Sequence, residues 1–101
     1  MSSRPIALVT GGARGIGYAC AEALAEEGAR IILADLDDEA VMEAAAKLGG
    51  DTVGLICDVG EPVQIEVMFE KIEADYGPVS TLVNCAGIAR SAEFLDASIE
   101  D

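Results

Sequence analysis

The chain is poor in the residues that build metal sites and disulfide frameworks. It has no histidine, no tryptophan and only three cysteines in 101 residues. Cys20, Cys57 and Cys85 are odd in number and far apart along the chain, so the sequence predicts neither a zinc site nor a disulfide framework. We expect Cys20 to be a small buried apolar residue of a helix. Cys57 and Cys85 are expected at strand ends, near where a ligand would lie. Packing is the favoured reason for both, and reactivity of either thiol is the alternative.

Basic residues are also scarce. Six lysines and arginines stand against 19 aspartates and glutamates, which gives a formal net charge of −13. This balance argues against a nucleic-acid surface and against attachment to anionic membranes. No apolar run approaches the roughly 20 residues of a membrane span, and the amino terminus lacks the basic flank and long apolar core of a signal peptide. The sequence therefore predicts a cytoplasmic protein without nucleic-acid or membrane partners.

The order of apolar runs and helical patterns predicts the fold class. With 101 residues the chain is expected to form a single domain over residues 1–101. Strands separated by helices need crossover connections, which are right-handed and give a parallel sheet. The expected class is therefore α/β, a doubly wound parallel β-α-β-α-β-α-β sheet with strand order 3-2-1-4. Strands are expected at Ile6–Val9, Arg30–Ala34, Thr52–Cys57 and Thr81–Val83, and helices at residues 15–27, from Asp37 or Asp38 to Gly49, and from Pro62 to Gly77.

Helical periodicity assigns an apolar face to each expected helix. The faces consist of Ile16, Ala19, Cys20, Ala23 and Leu24 in the first helix, of Val41, Ala44, Ala45 and Leu48 in the second, and of Ile65, Met68, Phe69, Ile72 and Tyr76 in the third.

A glycine-rich segment, Thr10–Gly17 (TGGARGIG), directly follows the first apolar run. Gly11 lets the chain leave the strand. Gly15 and Gly17 open a helix whose first N–H groups and positive dipole end attract a phosphate. The spacing is G-x-x-x-G-x-G rather than G-x-G-x-x-G, and no Gly-Lys-Ser/Thr follows, which excludes a P-loop. The alternative is that these are only turn glycines at a strand-to-helix corner.

An acidic residue ends the second expected strand. Asp35 stands 18 residues after Gly17 (35 minus 17). At this place in a dinucleotide-binding sheet, an acid accepts hydrogen bonds from the adenosine ribose hydroxyls. Its charge would repel a 2′-phosphate, which favours NAD over NADP. The alternative role of Asp35 is to cap the next helix, which Asp37 or Asp38 could do instead.

The last residues predict that a further helix begins near the end of the chain. Ser98 has the character of an N-cap residue, with Asp101 three positions later. A sheet in the order 3-2-1-4 would also leave the edge of its fourth strand uncovered. We therefore expect this chain to be the amino-terminal part of a longer protein. The alternatives are a non-catalytic nucleotide-binding or regulatory module complete at 101 residues and, less favoured by the position of Thr10, a methyltransferase.

From Pro5 to Asp101 the chain resembles the short-chain dehydrogenase/reductase family. Four motifs carry the resemblance, in the family's order. They are T-G-x-x-x-G-x-G at Thr10, Gly11, Gly15 and Gly17, the acid after the second strand at Asp35 with Leu36, the Asp-Val pair at Asp58 and Val59, and N-N-A-G at Asn84, Cys85, Ala86 and Gly87. Cys85 departs from the pattern, because the family has a second asparagine there.

The resemblance implies a Rossmann-type sheet that binds a nicotinamide dinucleotide, with NAD favoured by Asp35. It also implies a small-molecule substrate, for which a 3-oxoacyl thioester, a sugar or a secondary alcohol would be compatible, and a homo-oligomer at full length. The cofactor-binding residues that it implies are Gly11, Gly12, Ala13, Arg14, Gly15, Ile16, Gly17, Asp35, Leu36, Asp58, Val59, Asn84, Ala86 and Gly87.

The reaction that the resemblance implies is reversible hydride transfer between nicotinamide and a hydroxyl or ketone. In the family a tyrosine is the general acid/base, and a lysine four residues later tunes its pKa. The two tyrosines, Tyr18 and Tyr76, are followed at that spacing by Glu22 and Ser80. No catalytic residue is therefore assigned in this chain, which is predicted to be inactive by itself.

Overall fold

Four strands and three helices alternate along the chain in the computed structural model, which describes residues 4–13 and 15–85. The strands form one parallel sheet in the order β3-β2-β1-β4. The expected fold class and strand order are confirmed, while the helix start expected at Ser98 lies outside the described residues. The elements are β1 Ile6–Thr10, α1 Gly15–Glu26, β2 Arg30–Asp35, α2 Asp38–Leu48, β3 Val53–Ile56, α3 Pro62–Asp75 and β4 Thr81–Asn84.

Both faces of the sheet are covered, because its central strands are apolar at consecutive positions. Every residue of β1 is buried, and β1 lies between β2 and β4. Side chains alternate between the two faces along each strand. Ala7, Val9, Ile31 and Leu33 pack with α1 and α2, whereas Ile6, Leu8, Ile32 and Ala34 pack with α3.

Helix α2 begins and ends at the residues that the sequence indicates. The Asp37 carboxylate accepts a hydrogen bond from the N–H of Ala40 at 3.1 Å, as an N-cap residue does. Gly49 ends the helix with a φ of +80°. The apolar faces expected for α2 and α3 are confirmed, and Val41 of α2 and Ile72 of α3 are fully buried.

The apolar face expected for α1 is wrong at Ile16, Ala19 and Ala23, whereas Leu24 packs against the core and Cys20 is half-buried. Ile16 is 61% exposed, and Ala19 and Ala23 are exposed as well. The buried residues of the helix are Gly17 and Ala21. A Cβ on Gly17 would clash with the carbonyl oxygen of Gly11, so the helix backbone approaches the preceding loop closely at this position. Because of this contact, position 17 faces the core, and the residues one and two helical turns later lie on the same side of the helix.

Charged side chains contact one another at the amino-terminal edge of the sheet. Arg4 Nη1 lies 2.7 Å from Asp51 Oδ2, and Arg4 Nε donates to the carbonyl of Gly28 at 3.1 Å. Arg30 Nε lies 3.7 Å from the same Asp51 oxygen. The Arg30 guanidinium stacks over the Tyr76 ring at 4.5 Å from its centroid. Tyr76 therefore lies at the edge opposite the glycine loop.

The helices of the described ranges are short, the longest being α3 with 14 residues. None of them is long and apolar enough to cross a membrane.

Candidate functional site

The register of the sheet brings the predicted site segments to its carboxyl edge. Thr10 lies opposite Ala34 on one side and Asn84 on the other, and Asp35 lies opposite Ile56. The glycine loop, the turn after β2, the turn after β3 and the end of β4 therefore meet at one edge. Ligands of open α/β sheets bind at this edge.

The end of β2 holds the first half of the glycine loop. Gly11 has a φ of +70°, a conformation that glycine adopts without strain, and its N–H donates to the carbonyl of Ala34 at 2.7 Å. The N–H of Ala13 donates to Asp35 Oδ2 at 3.1 Å. Hydrogen bonds to the last two residues of β2 thus fix the path of Gly11–Ala13.

Three other glycines of the segment are required for different reasons. A Cβ on Gly12 would lie 2.8 Å from Leu33 Cδ2, and one on Gly17 would meet Gly11 even more closely. Gly15 has a φ of +63°, and a Cβ there would meet none of its described surroundings within 4 Å. Gly12 and Gly17 permit close packing, while open space lies over Gly15, where the unpaired N–H groups of α1 begin.

Asp35 presents a half-buried carboxylate beside the loop. Besides the amide of Ala13, it accepts a hydrogen bond from the N–H of Asp37 at 3.3 Å. Because Asp37 itself caps α2, the alternative role of Asp35 as the N-cap is not observed. The neighbouring Leu36 is 65% exposed, so an apolar side chain borders the same edge.

The turn after β3 is held by its own polar groups. The Asp58 N–H donates to Gln64 Oε1 at 2.9 Å, and Asp58 Oδ1 accepts from the N–H of Gly60 at 2.9 Å. Val59 packs against the core on the α3 side. Burial, followed by the charge of Asp58, raises the pKa of the Cys57 thiol. Cys57 is 2% exposed and has the packing role expected for it.

The end of β4 is tied to the end of β1. The Thr10 hydroxyl, in a residue only 4% exposed, donates to Asn84 Oδ1 at 2.8 Å. The N–H of Cys85 donates to the carbonyl of Thr10 at 3.0 Å. Burial raises the pKa of the Cys85 thiol, and the charge of Cys20 and a hydrogen bond with it raise it further.

The sequence did not predict that Cys20 affects the pKa of the Cys85 thiol. Cys20 is half-buried rather than fully buried. The signal was present in the expected strand order, because an order of 3-2-1-4 sets the end of β4 beside β1 and hence beside the start of α1.

A cleft of about 520 Å³ opens between the glycine loop, α1 and α2. Of its lining residues, only Ala13 and Gly15 were predicted from the sequence to bind a ligand. Lys47 Nζ lies 5.4 Å from the ring centroid of Tyr18 on its wall. The lining residues are Ala13, Gly15, Tyr18, Ala40, Glu43, Ala44 and Lys47.

Three of the predicted site residues, Arg14, Ala86 and Gly87, lie outside the described residues. Over residues 4–13 and 15–85, no group of three or more cysteine, aspartate or glutamate side chains is arranged to hold a metal ion.

The carboxyl edge combines groups that suit different parts of a dinucleotide. The start of α1 supplies N–H groups and a positive dipole end for a phosphate, and glycines leave room for its approach. Asp35 supplies acceptors for hydroxyl groups one strand away. The residues present therefore fit a nicotinamide dinucleotide.

The model of the family described as short chain dehydrogenase matches residues 5–101. The chain belongs to this family.

Similar proteins include D-threitol dehydrogenase of Mycolicibacterium smegmatis, which is 42% identical over 95% of this chain and 38% of its own length. The 3-oxoacyl-(acyl-carrier-protein) reductase FabG of Escherichia coli is 46% identical over 84% of this chain and 35% of its own length. The crystal structure of gox2181 superposes with a TM-score of 0.77 at 37% identity, over 82% of this chain and 34% of that one. The chain thus spans between a third and two fifths of the length of these relatives.

Proposed function

We propose that this chain is the cofactor-binding part of an NAD(P)-dependent oxidoreductase that interconverts a secondary alcohol and a ketone. When bound, the nicotinamide would supply or accept the hydride. The observation that carries the proposal is the meeting of the glycine loop and Asp35 at the carboxyl edge of the sheet, where the Ala13 amide contacts the Asp35 carboxylate at 3.1 Å. Family membership and relatives named as a dehydrogenase and a reductase support it.

In this proposal the N–H groups at the start of α1 bind the pyrophosphate, and Asp35 accepts hydrogen bonds from the adenosine ribose. Leu36 and Val59 would border the adenine, with Asp58 holding the turn after β3 that carries Val59. Asn84 would support the nicotinamide side through its hydrogen bond with Thr10. The proposed set also includes Arg14, Ala86 and Gly87, on the resemblance alone.

NAD is the proposed cofactor, because the charge of Asp35 would face the position of a 2′-phosphate. A negative phosphate near a carboxylate costs free energy. The two hydrogen bonds that Asp35 accepts come from neutral backbone amides, which leaves its charge uncompensated by either of those partners.

The test is fluorescence titration of the protein with NADH and with NADPH, using Asp35→Asn and Asp35→Ala. Asn keeps one oxygen that can accept from the Ala13 amide but lacks the charge, whereas Ala removes both. Hydrogen bonds to charged groups contribute about 1.5–3 kcal/mol. We therefore expect both variants to bind NADH roughly tenfold or more weakly, and Asp35→Asn to gain affinity for NADPH relative to NADH.

Asp38→Asn is the matched control, because it removes the same charge from the exposed first turn of α2. It should bind both nucleotides as the unaltered protein does. Unchanged NADH affinity in both Asp35 variants would remove the ribose assignment, and tighter binding of NADPH than NADH by the unaltered protein would overturn the choice of NAD.

We further propose that residues 1–101 do not catalyse hydride transfer on their own. The support is the absence of a tyrosine followed four residues later by lysine at Tyr18 or Tyr76. Turnover of a ketone by this 101-residue chain with NADH, followed at the nicotinamide absorbance, would contradict it. The substrate proposed is a small molecule or an acyl thioester, and the proposed assembly of the whole protein is a homo-oligomer.

A further inference from the structure

The turn after β3 is held by a side chain that comes from the first turn of α3. Gln64 Oε1 accepts a hydrogen bond from the N–H of Asp58 at 2.9 Å. The sheet holds the chain only as far as the preceding residue, because the N–H of Cys57 donates to the carbonyl of Asp35 at 3.0 Å. Gln64 therefore fixes the backbone at the point where the contacts of the chain with β2 end.

The hydrogen bond of Gln64 does not serve to cap α3. In a capping box, a Glu or Gln at the third helical position accepts a hydrogen bond from the N–H of the N-cap residue. Gln64 has that position in α3, whose N-cap is Glu61, but the N–H of Glu61 donates to the carbonyl of Asp58 at 3.0 Å. The Gln64 side chain reaches farther back, to the Asp58 amide itself. The bond thus orders the turn rather than the start of the helix.

The half-buried Asp58 keeps one carboxylate oxygen for a ligand. Its N–H and carbonyl are bonded to Gln64 and Glu61, and its Oδ1 accepts from the N–H of Gly60 at 2.9 Å. Within residues 4–13 and 15–85, Asp58 Oδ2 accepts no hydrogen bond. A carboxylate oxygen accepts hydrogen bonds from amino groups, so Oδ2 suits a donor at the carboxyl edge of the sheet.

We propose that Gln64 is a positioning residue for the adenine end of the dinucleotide. It holds Asp58 so that Oδ2 accepts a hydrogen bond from the exocyclic amino group of the adenine. The inference rests on the proposed function, in which the turn after β3 borders the adenine. Without the Gln64 oxygen the Asp58 amide is released and the turn can rearrange, which weakens the bond to the amino group. The contacts proposed for the glycine loop and Asp35 remain, because they come from other elements.

Gln64→Met and Gln64→Glu form a matched pair for the test, because both keep the length of the side chain and only Glu keeps an oxygen acceptor. Each variant is titrated by fluorescence with NADH and with reduced nicotinamide hypoxanthine dinucleotide, in which a carbonyl replaces the adenine amino group. We expect Gln64→Met to bind NADH roughly two- to tenfold more weakly, the scale of one hydrogen bond. Its affinity for the hypoxanthine dinucleotide should not change. Gln64→Glu should restore the preference for NADH.

Further variants separate positioning from a general effect on the fold. Gln64→Ala removes the acceptor without adding a long apolar side chain and should repeat the result of Gln64→Met. Glu66→Met changes another exposed residue of α3 and should alter neither affinity. Urea unfolding checks that each variant is folded.

Three results would overturn the inference and leave the proposed function intact. They are equal weakening for both dinucleotides, unchanged NADH affinity in Gln64→Met and Gln64→Ala, and NADH binding by Gln64→Glu as weak as that by Gln64→Met. Absence of NADH binding by the unaltered protein would instead remove the proposed function, and the inference with it.

Discussion

At the scale of single residues, Gly17 decides how α1 leaves the loop. The oxygen of Gly11 occupies the place that a Cβ on Gly17 would take. The inward position of Gly17 follows from this contact and not from hydrophobicity. Gly15, two residues earlier, is glycine because of its positive φ and has open space above it.

We predict that Gly17→Ala is more destabilising than Gly15→Ala. Overpacking of this kind costs about 1–3 kcal/mol, whereas an alanine in the left-handed region costs about 1–2 kcal/mol. Urea unfolding followed by circular dichroism gives both values. Gly50→Ala is the control for the conformational cost alone, because Gly50 also has a positive φ, of +62°, and free space. Equal losses for positions 17 and 50 would contradict the steric interpretation.

At the residue scale Asp35 has one proposed role and one observed contact, and only the proposed role could be predicted from the sequence. Its position after the second strand indicated contact with a ribose. Its hydrogen bond to the Ala13 amide depends on how the loop turns back over β2, which motif spacing does not encode.

At the scale of elements, α1 and α3 show why one apolar face was predictable and the other was not. In α3, exposed Glu66, Glu70 and Glu73 mark the outer side. The largest apolar side chains fall on the opposite side and pack in the core, although Val63 and Val67 are exposed. In α1 small apolar residues occur on several sides, and Ala19 and Ala21 are equally apolar candidates for the core. The backbone contact of Gly17 makes the choice, and a hydrophobicity pattern does not contain it.

For the start of α2, we predict that Asp37→Ala costs about 1 kcal/mol, because the N–H of Ala40 loses its side-chain acceptor. The midpoint of urea unfolding should fall, with an unchanged dependence on urea concentration. Asp38→Ala, which removes the same charge one residue later, is the matched control and should cost less. The cap assignment is wrong if the two variants lose equal stability.

Most of the site could be predicted at the element scale, because each motif follows its own strand and parallel strands end at one edge. The cleft between the loop and α2 could not, since its walls come from residues as distant as Gly15 and Lys47. The effect of Cys20 on the pKa of the Cys85 thiol could not be predicted for a related reason, since the two cysteines belong to different elements.

At the scale of the whole molecule, few basic side chains are present to pair with the many acidic ones. The formal net charge is −13, yet two of the few basic residues, Arg4 and Arg30, both contact Asp51 at the amino-terminal edge. Burial raises the pKa of Asp51, but the hydrogen bond and charge of Arg4 and the charge of Arg30 outweigh it and hold the pKa below its ordinary value.

We predict that Asp51→Asn lowers the free energy of unfolding at neutral pH by up to about 1 kcal/mol, the scale of an exposed ion pair. A carboxylate with a lowered pKa in the folded state contributes stability above its unfolded pKa of about 3.9. That contribution is lost as the pH falls through the lower folded value. The difference between the two proteins should therefore shrink below about pH 4.

Urea unfolding between pH 7 and pH 3 measures this difference. Glu73→Gln, which removes one negative charge from the exposed side of α3, controls for net charge. Parallel stability curves for Asp51→Asn and the unaltered protein over the whole range would show that the arginine contacts do not favour the charged form.

The hydrogen bonds from Gly11 and Ala13 to β2 have a consequence for the affinity with which the glycine loop would bind its proposed ligand. Fixing the backbone of one residue costs about 1–2 kcal/mol of conformational entropy. A loop that became ordered only around its ligand would subtract that cost from the affinity for each residue involved. Here the hydrogen bonds to β2 order these residues when the chain folds. A phosphate that binds at the start of α1, as proposed, would therefore find the loop already in its bound conformation.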